Sequence, residues 1–323
     1  MESLTRQGTV TDAPRIAFLC YLNRSGSTLM ARLLDESRDV AVSLESGVPD
    51  GIIYRGPRLA RPEDIEPFLD RAYADEKFLE WGIDRDALRE RLQRESPSYA
   101  AFLRATLDLA LGDQRAAVHV YKVSRFWERL DRVQAWYPGA RVIFVLRDLR
   151  GVYASQARSI DSRKGRPMSF SPGLTAWIYR RAVRVLLRNS AAPWLRVIRF
   201  ENLVADPAAE VEGALRFLGA STIRKDGGSD YFSRIPDRQQ HLHSNVGSAT
   251  IGARTDAWRD SLSQSRIELL ERIAGTEMRA LGYAVPDRPS PSWRMRIRML
   301  GSWILFWVVE ANHWLRVRPW PWR

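Results

Sequence analysis

The sequence predicts an α/β protein: a three-layer, P-loop-like fold with a central parallel sheet, a helical insertion and an aromatic-basic helical tail. Two observations carry most of this. The stretch from Ile16 to Leu34, IAFLCYLNRSGSTLMARLL, reads as a buried strand, a tight polar loop and a helix. Two later apolar runs, Ala117 to Val123 and Arg141 to Leu146, each end in polar residues and are followed by helical spacing. Short Val/Ile/Phe runs that alternate with amphipathic segments build βαβ units, and those units form parallel sheets covered on both faces.

The first unit is the most informative. Asn23, Arg24, Ser25 and Gly26 form a polar turn after the Ile16–Tyr21 run. Ser27 and Thr28 stand where a helix N-cap is expected, and Leu29, Met30, Leu33 and Leu34 give the helix its apolar stripe. A helix N-terminus entered through such a loop offers unpaired N–H groups and the positive end of the helix dipole, which is an anion site and commonly a phosphate site. Arg24 adds forked donors, and Ser25, Ser27 and Thr28 add hydroxyls. A nucleotide triphosphatase loop needs Gly, four residues, then Gly-Lys-Ser/Thr. Here Tyr21 stands five before Gly26 and Ser27 follows it, so the lysine and the magnesium-organising set are missing.

Asp39 to Leu44 reads as a second short strand, followed by Glu45. Glu45 comes 17 residues after Thr28, one helix and one strand later, and a parallel sheet returns it to the edge that carries the anion loop. From about residue 51 to 115 the chain is charged and helix-biased, with helical spacing over Asp84 to Arg94 and Tyr99 to Leu111. This is too long for a simple crossover and is read as a helical insertion. In Ala117 to Val123, alternation puts His119, Tyr121 and Val123 on one face and Val118, Val120 and Lys122 on the other. Lys122 falls near the carboxyl edge, while His119 reads as a core residue. Phe126 to Trp136 has amphipathic helical spacing. Beyond Leu146 come Arg147, Asp148 and a helix from about Val152 to Ser159; Arg147 and Ser155 are within reach of one anion, a second phosphate-sized site separate from the first. His241 and His243 lack a third neighbouring ligand and do not make a metal site.

These motifs resemble those of sulfotransferases that use 3′-phosphoadenosine 5′-phosphosulfate (PAPS). Arg24-Ser25-Gly26-Ser27-Thr28-Leu29 resembles the family's 5′-phosphosulfate loop in the form found in carbohydrate and bacterial members. Arg147-Asp148-Leu149-Arg150-Gly151-Val152-Tyr153-Ala154-Ser155 resembles its 3′-phosphate motif, with an Arg and a Ser eight residues apart. Arg199-Phe200-Glu201-Asn202-Leu203, Phe217-Leu218-Gly219, Arg254, Trp258-Arg259 and Leu281-Gly282-Tyr283 are similar to its later segments. The resemblance spans about residues 14 to 284.

It implies sulfonate transfer from PAPS to an acceptor hydroxyl, on a carbohydrate or glycolipid, with no metal required. In that reading Arg24, Ser25, Gly26, Ser27, Thr28, Arg147, Ser155 and Arg254 hold the nucleotide. Arg24 and the loop N–H groups stabilise charge on the leaving oxygen, Lys122 supports the transferring sulfonate, and Glu45 is the general base. The cytosolic branch uses a histidine after the strand that here contains Lys122, but Val123-Ser124-Arg125 follow it, so His119 is a second choice. Glu201 receives no role. A divergent P-loop kinase and a membrane-associated nucleotide-binding module without catalysis are the alternatives.

The chain carries a formal charge of +12, almost all from arginine, since lysine occurs only at Lys77, Lys122, Lys164 and Lys225. This suits an anionic ligand, and no basic-aromatic module for nucleic acid is evident outside the tail. Cys20, the single cysteine, cannot form an internal disulfide, which fits a cytoplasmic setting. The first 15 residues are polar and predict no signal peptide. We divide the sequence into a domain at 1–290 and a basic, Trp-rich tail at 291–323. Six of the 12 tryptophans fall in the tail, and arginines flank its apolar centre from Met299 to Val309. That pattern is compatible with a helix lying in a membrane surface, peripheral at the inner face, rather than a span; a helix docked on the body or in a homodimer interface accounts for it as well.

Overall fold

A computed structural model describes residues 14–55, 58–112, 116–161, 165–226, 228–235 and 255–316, without the side chains of 50, 53–55 and 314–316. Arg254, His241 and His243 lie outside the described residues. The centre is a five-stranded sheet of β1 (Arg15–Tyr21), β2 (Val40–Val42), β3 (Val118–Val123), β4 (Arg141–Leu146) and the later strand Leu195–Arg199. A two-stranded hairpin, β5 (Ile160–Asp161) and β6 (Arg166–Pro167), stands apart from it, so the fifth sheet strand is β7. The order is β2-β3-β1-β4-β7, and each neighbouring pair is parallel.

The chain moves from β1 to one side for β2 and β3, then to the other side for β4 and β7. β1 therefore flanks the point where strand order reverses, the place where open α/β sheets bind ligands beyond their carboxyl ends. The strands are almost wholly apolar and buried because helices cover both faces. One face carries Ala17, Leu19, Val120, Ile143 and Val145, packed under α1 (Ser27–Asp35), α10 (Phe200–Ala205) and α11 (Pro207–Leu218). The other carries Phe18, Tyr121, Val123 and Phe144. It is covered by the insertion, by α7 (Leu130–Trp136), by α8 (Leu149–Arg158) and α9 (Pro172–Arg188), and by α12 (Trp258–Ser261) and α13 (Gln264–Ala280).

The insertion holds α2 (Val48–Arg55), α3 (Ile65–Ala72), α4 (Glu76–Leu79), α5 (Arg85–Arg94) and α6 (Tyr99–Leu111). Asp84 and Ser98 cap α5 and α6 by accepting from the N–H groups of Ala87 and Ala101. The segment expected as one helix from Phe126 to Trp136 instead opens with a 3-10 turn, Phe126–Arg129, before α7. No side chain caps that turn, and Phe126 and Trp127 are both drawn into the core.

The tail forms α14 (Trp293–Arg316), which packs along α9 and touches α13. Gly173 makes this close approach possible, because a Cβ there would run into the Cβ of Ser302. Ser302 also accepts from Trp177 Nε1 at 3.2 Å, and the Trp177 and Phe306 rings lie 6.4 Å apart. Among the described residues no helix is long and apolar enough to cross a membrane.

Candidate active site

The carboxyl ends of β1, β2, β3 and β4 bring the candidate residues to one edge. Arg24 has φ 72° and Gly26 φ 96°, so the loop after β1 passes twice through the left-handed region. Gly26 tolerates this, and its missing Cβ leaves room for the Phe200 ring pressed against it. The N-cap of α1 is Gly26, not Ser27 or Thr28 as the sequence suggested, and no side chain caps the helix. Its opening N–H groups thus have no side-chain acceptor. Ser25 Oγ is fully buried with no hydrogen-bond partner. Thr28 Oγ1 instead accepts from Lys122 Nζ at 3.1 Å.

The second motif arrives from β4. Arg147 stands at the strand end with its guanidinium 4.5 Å over the Phe200 ring, and its Nε is buried without a partner. Asp148 caps α8 and pairs with Arg150 at 2.6 Å. It thus serves as a structural cap. α8 begins at Leu149, earlier than the sequence suggested, because that cap sets its start. Ser155 faces back toward the first loop, and Arg24 Nε donates to its Oγ at 3.1 Å. The two motifs, read from the sequence as separate anion sites, touch through this bond. Burial lowers the pKa of Arg24, and the neighbouring Arg147 lowers it further. Burial likewise lowers that of Arg147, with Glu201 and Asp148 opposing. Two adjacent, partly desolvated guanidiniums form a site that gains most from a bound anion.

Lys122 is buried on the α1 face of β3, with its ammonium near the rings of Tyr21 and Tyr231. Burial drives its pKa from 10.5 down to about 8; Glu45 opposes this and Arg24 assists it. Glu45 follows β2 and receives Lys77 Nζ from α4 at 2.6 Å. Burial pushes its carboxyl up, but Lys77 and then Lys122 outweigh burial and hold it at about 2. His119 is buried on the opposite face of β3, its Nδ1 3.4 Å from Asp108, which fits the core reading.

Beside these groups a cleft of about 210 Å³ is lined by Tyr21, Asn23, Ser124, Trp127, Gln156 and Tyr179 among others. Ser124 and Arg125 enter it from the end of β3, Gln156 from α8, and Leu174, Thr175 and Ile178 from α9. Its wall mixes aliphatic, aromatic and hydrogen-bonding side chains.

The uncapped α1 terminus, the buried Ser25 Oγ and the partnerless Arg147 Nε fit a ligand with anionic groups at two points, as a nucleotide carrying two phosphate-bearing ends has. Several supporting residues escaped the sequence reading. Glu201 accepts from the Asp148 N–H at 2.9 Å and from the Tyr283 hydroxyl at 2.9 Å, which ties the Arg147 turn to the end of α13. Arg150 continues the chain of ion pairs to Glu271, and Glu271 to Arg288. Glu201 and Tyr283 stood in recognisable motifs, but nothing in the local sequence told which groups they would meet. Lys77 carried no signal at all, since it lies in the insertion 32 residues past Glu45.

Comparison with known proteins gives three findings. Residues 17–224 match the sulfotransferase family model, a span that contains both anion loops, Glu45 and Lys122. Over 126 residues the chain is 29% identical to mouse carbohydrate sulfotransferase 7; this match covers 36% of the chain and 22% of that protein. The fold is similar to the sulfotransferase domain of the olefin synthase of Synechococcus PCC 7002, at 19% identity and a TM-score of 0.54, covering 84% of this chain and 96% of that one. It is equally similar to the sulfotransferase domain of the curacin biosynthetic pathway, at 17% identity and a TM-score of 0.54, covering 84% and 99%. With the family match running through well over half of its length and across both anion motifs, Glu45 and Lys122, the chain belongs to the sulfotransferase family.

Proposed function

We propose that the protein transfers a sulfonate group from PAPS to an acceptor hydroxyl on a carbohydrate or glycolipid, with Glu45 as general base. The observation that carries this is the meeting of Arg24, Ser155 and Arg147 beside an uncapped helix terminus, with Lys122 and Glu45 at the same edge. The donor supplies an activated sulfonate together with two anionic ends. Arg147 and Ser155 are suited to the 3′-phosphate. Ser25, Gly26, Ser27 and Thr28 are suited to the 5′-end, and Arg24 spans the two. The sugar class of acceptor is supported by the carbohydrate sulfotransferase relative, and the mixed polar and apolar cleft suits a sugar carried on a lipid.

Arg24, Lys122 and the N–H groups of α1 hold positive potential where negative charge develops, in a site largely shielded from water. Glu45 takes the proton that the acceptor hydroxyl sheds. A carboxyl held at about 2 is a weak base toward a free alcohol. It suffices when the oxygen loses its proton late, after bonding to the electron-poor sulfonate has made it strongly acidic. Lys77 keeps Glu45 ionised, and Lys122 shares its field with both the carboxylate and the loop.

The test is calorimetric titration with 3′-phosphoadenosine 5′-phosphate, with ATP and magnesium run in parallel and Arg147→Ala as control. Metal-independent binding at micromolar concentrations or tighter, lost in the variant, is the expected result. Preference for ATP with magnesium would overturn the reading in favour of a kinase.

A further inference from the structure

The tail helix α14 has two apolar faces, and the fold uses one. Met295, Met299, Ser302 and Phe306 recur at helical spacing and turn toward α9 and α13. On the opposite side Trp293, Ile297, Leu300, Ile304 and Val308 recur at the same spacing and are 51 to 66% exposed. Trp307 and Trp303 widen that stripe at 54 and 44% exposure. A continuous row of large side chains of this kind on a soluble surface marks an interaction site.

Charge identifies the occupant. The one carboxylate on α14, Glu310, turns inward, where Arg181 and Arg125 neutralise it. The outward side is left with cations: Arg294, Arg296 and Arg298 are exposed at the first turns, and the sequence continues past the stripe with Arg316, Arg318 and Arg323. Trp320 and Trp322 follow as well. Two copies stacked in parallel through this stripe would set Arg294, Arg296 and Arg298 against their own counterparts. An anionic lipid surface accepts the apolar row and the basic rim together.

We propose that the outward face of α14 docks on an anionic lipid bilayer and holds the cleft at the membrane surface. The cleft and the lipid-facing helix share one neighbour, since α9 supplies both a wall of the cleft and the seat of α14. Arg125, a cleft residue, also reaches α14 directly through Glu310 at 3.4 Å. The acceptor is then a hydroxyl carried on a lipid or lipid-linked sugar, a clause that rests on the sulfonate-transfer reading above.

Flotation with vesicles of phosphatidylcholine alone, or mixed with phosphatidylglycerol, tests the docking on the full chain. Wild type is expected to float with the anionic vesicles and to detach at high salt. The variant Ile297→Gln/Ile304→Gln/Val308→Gln loses at least about tenfold in partitioning, and Arg294→Gln/Arg296→Gln a smaller part. Because these side chains point away from the body, binding of 3′-phosphoadenosine 5′-phosphate stays unchanged in both. Wild type that ignores anionic vesicles, or a triple variant that binds them as well, overturns the proposal. So does a solution dimer, seen by sedimentation velocity, that the triple variant splits into monomers, since a second copy would then own the stripe. Vesicle docking without nucleotide binding would sink the transferase reading and leave the docking surface standing. With sulfur-labelled PAPS and vesicles doped with glycosyl diacylglycerol, label enters the lipid phase for wild type and far less for the triple variant. Equal labelling by both overturns the acceptor clause.

Discussion

Arg24 Nε donates to Ser155 Oγ at 3.1 Å, joining the loop after β1 to helix α8, 131 residues further along the chain. The bond holds the two motifs side by side. A hydrogen bond with a charged partner contributes about 1.5–3 kcal/mol. Ser155→Ala is therefore expected to weaken 3′-phosphoadenosine 5′-phosphate binding by roughly ten- to a hundredfold by calorimetry. In a double-mutant cycle with Arg24→Gln the two losses should fall short of adding; strict additivity would mean the pair acts independently.

Glu45→Gln should lower turnover by roughly 10²- to 10⁴-fold and leave nucleotide affinity unchanged. Lys77→Met probes the same carboxylate from its other side. Removing the ammonium lets burial raise the Glu45 pKa from about 2. The acid limb of the pH–rate profile then moves upward, because protonated Glu45 cannot accept a proton. A limb that stays in place would show that Lys77 does not set the basicity.

Lys122 titrates near 8, well below its ordinary 10.5, chiefly because it is buried. Above that pH it loses the charge that supports the developing anion, so kcat/KM should fall as pH rises through about 8. Lys122→Met removes this limb and lowers the rate at neutral pH. The sign for stability is opposite. Between pH 8 and 10.5 the unfolded chain holds the proton and the folded chain does not, so resistance to urea rises with pH in that window. The rise should shrink in the variant.

Glu201→Ala leaves the Asp148 N–H and the Tyr283 hydroxyl without their acceptor. Stranding such groups costs about 1–3 kcal/mol, which lowers Tm by several degrees in a scanning experiment. Tyr283→Phe should cost less, since the carboxylate keeps the Asp148 bond. Both variants should also weaken nucleotide binding if the clamp holds the Arg147 turn in place.

Gly26→Ala meets two obstacles, a left-handed φ of 96° and the Phe200 ring. The backbone part costs about 1–2 kcal/mol. Phe200 must also move, and it supports Arg147 from the other side. Nucleotide affinity is expected to fall by more than the loss of stability explains, measured on protein that is still folded at the assay temperature.

Much of the site was legible in the sequence because it rests on local rules. Strand, loop and helix around Arg24 follow from apolar runs and a Gly/Ser turn, and alternation in β3 sets Lys122 and His119 on opposite faces as observed. Ser27 and Thr28 are good cap residues by type, yet the left-handed Gly26 takes that place and leaves the end of α1 without a side-chain cap. Lys77 could not be foreseen: an ammonium in the insertion meets Glu45 only after some thirty residues have folded back.

Spacing and residue type along the chain set the alternation of strand and helix, the parallel α/β class, the polar loop at Arg24, the second motif at Arg147 and Ser155, and the amphipathic tail. Those features depend on neighbours in the chain, where spacing and residue type fix the geometry. Folding adds the contact between the two motifs, the place of Glu45 between Lys77 and Lys122, the brace from Glu201 to the Arg147 turn, and the burial of one apolar face of α14 with the other left outward. Each of these is a meeting of charged or apolar groups far apart in sequence. Its energy depends on burial and distance, and neither exists until the sheet brings the strand ends together.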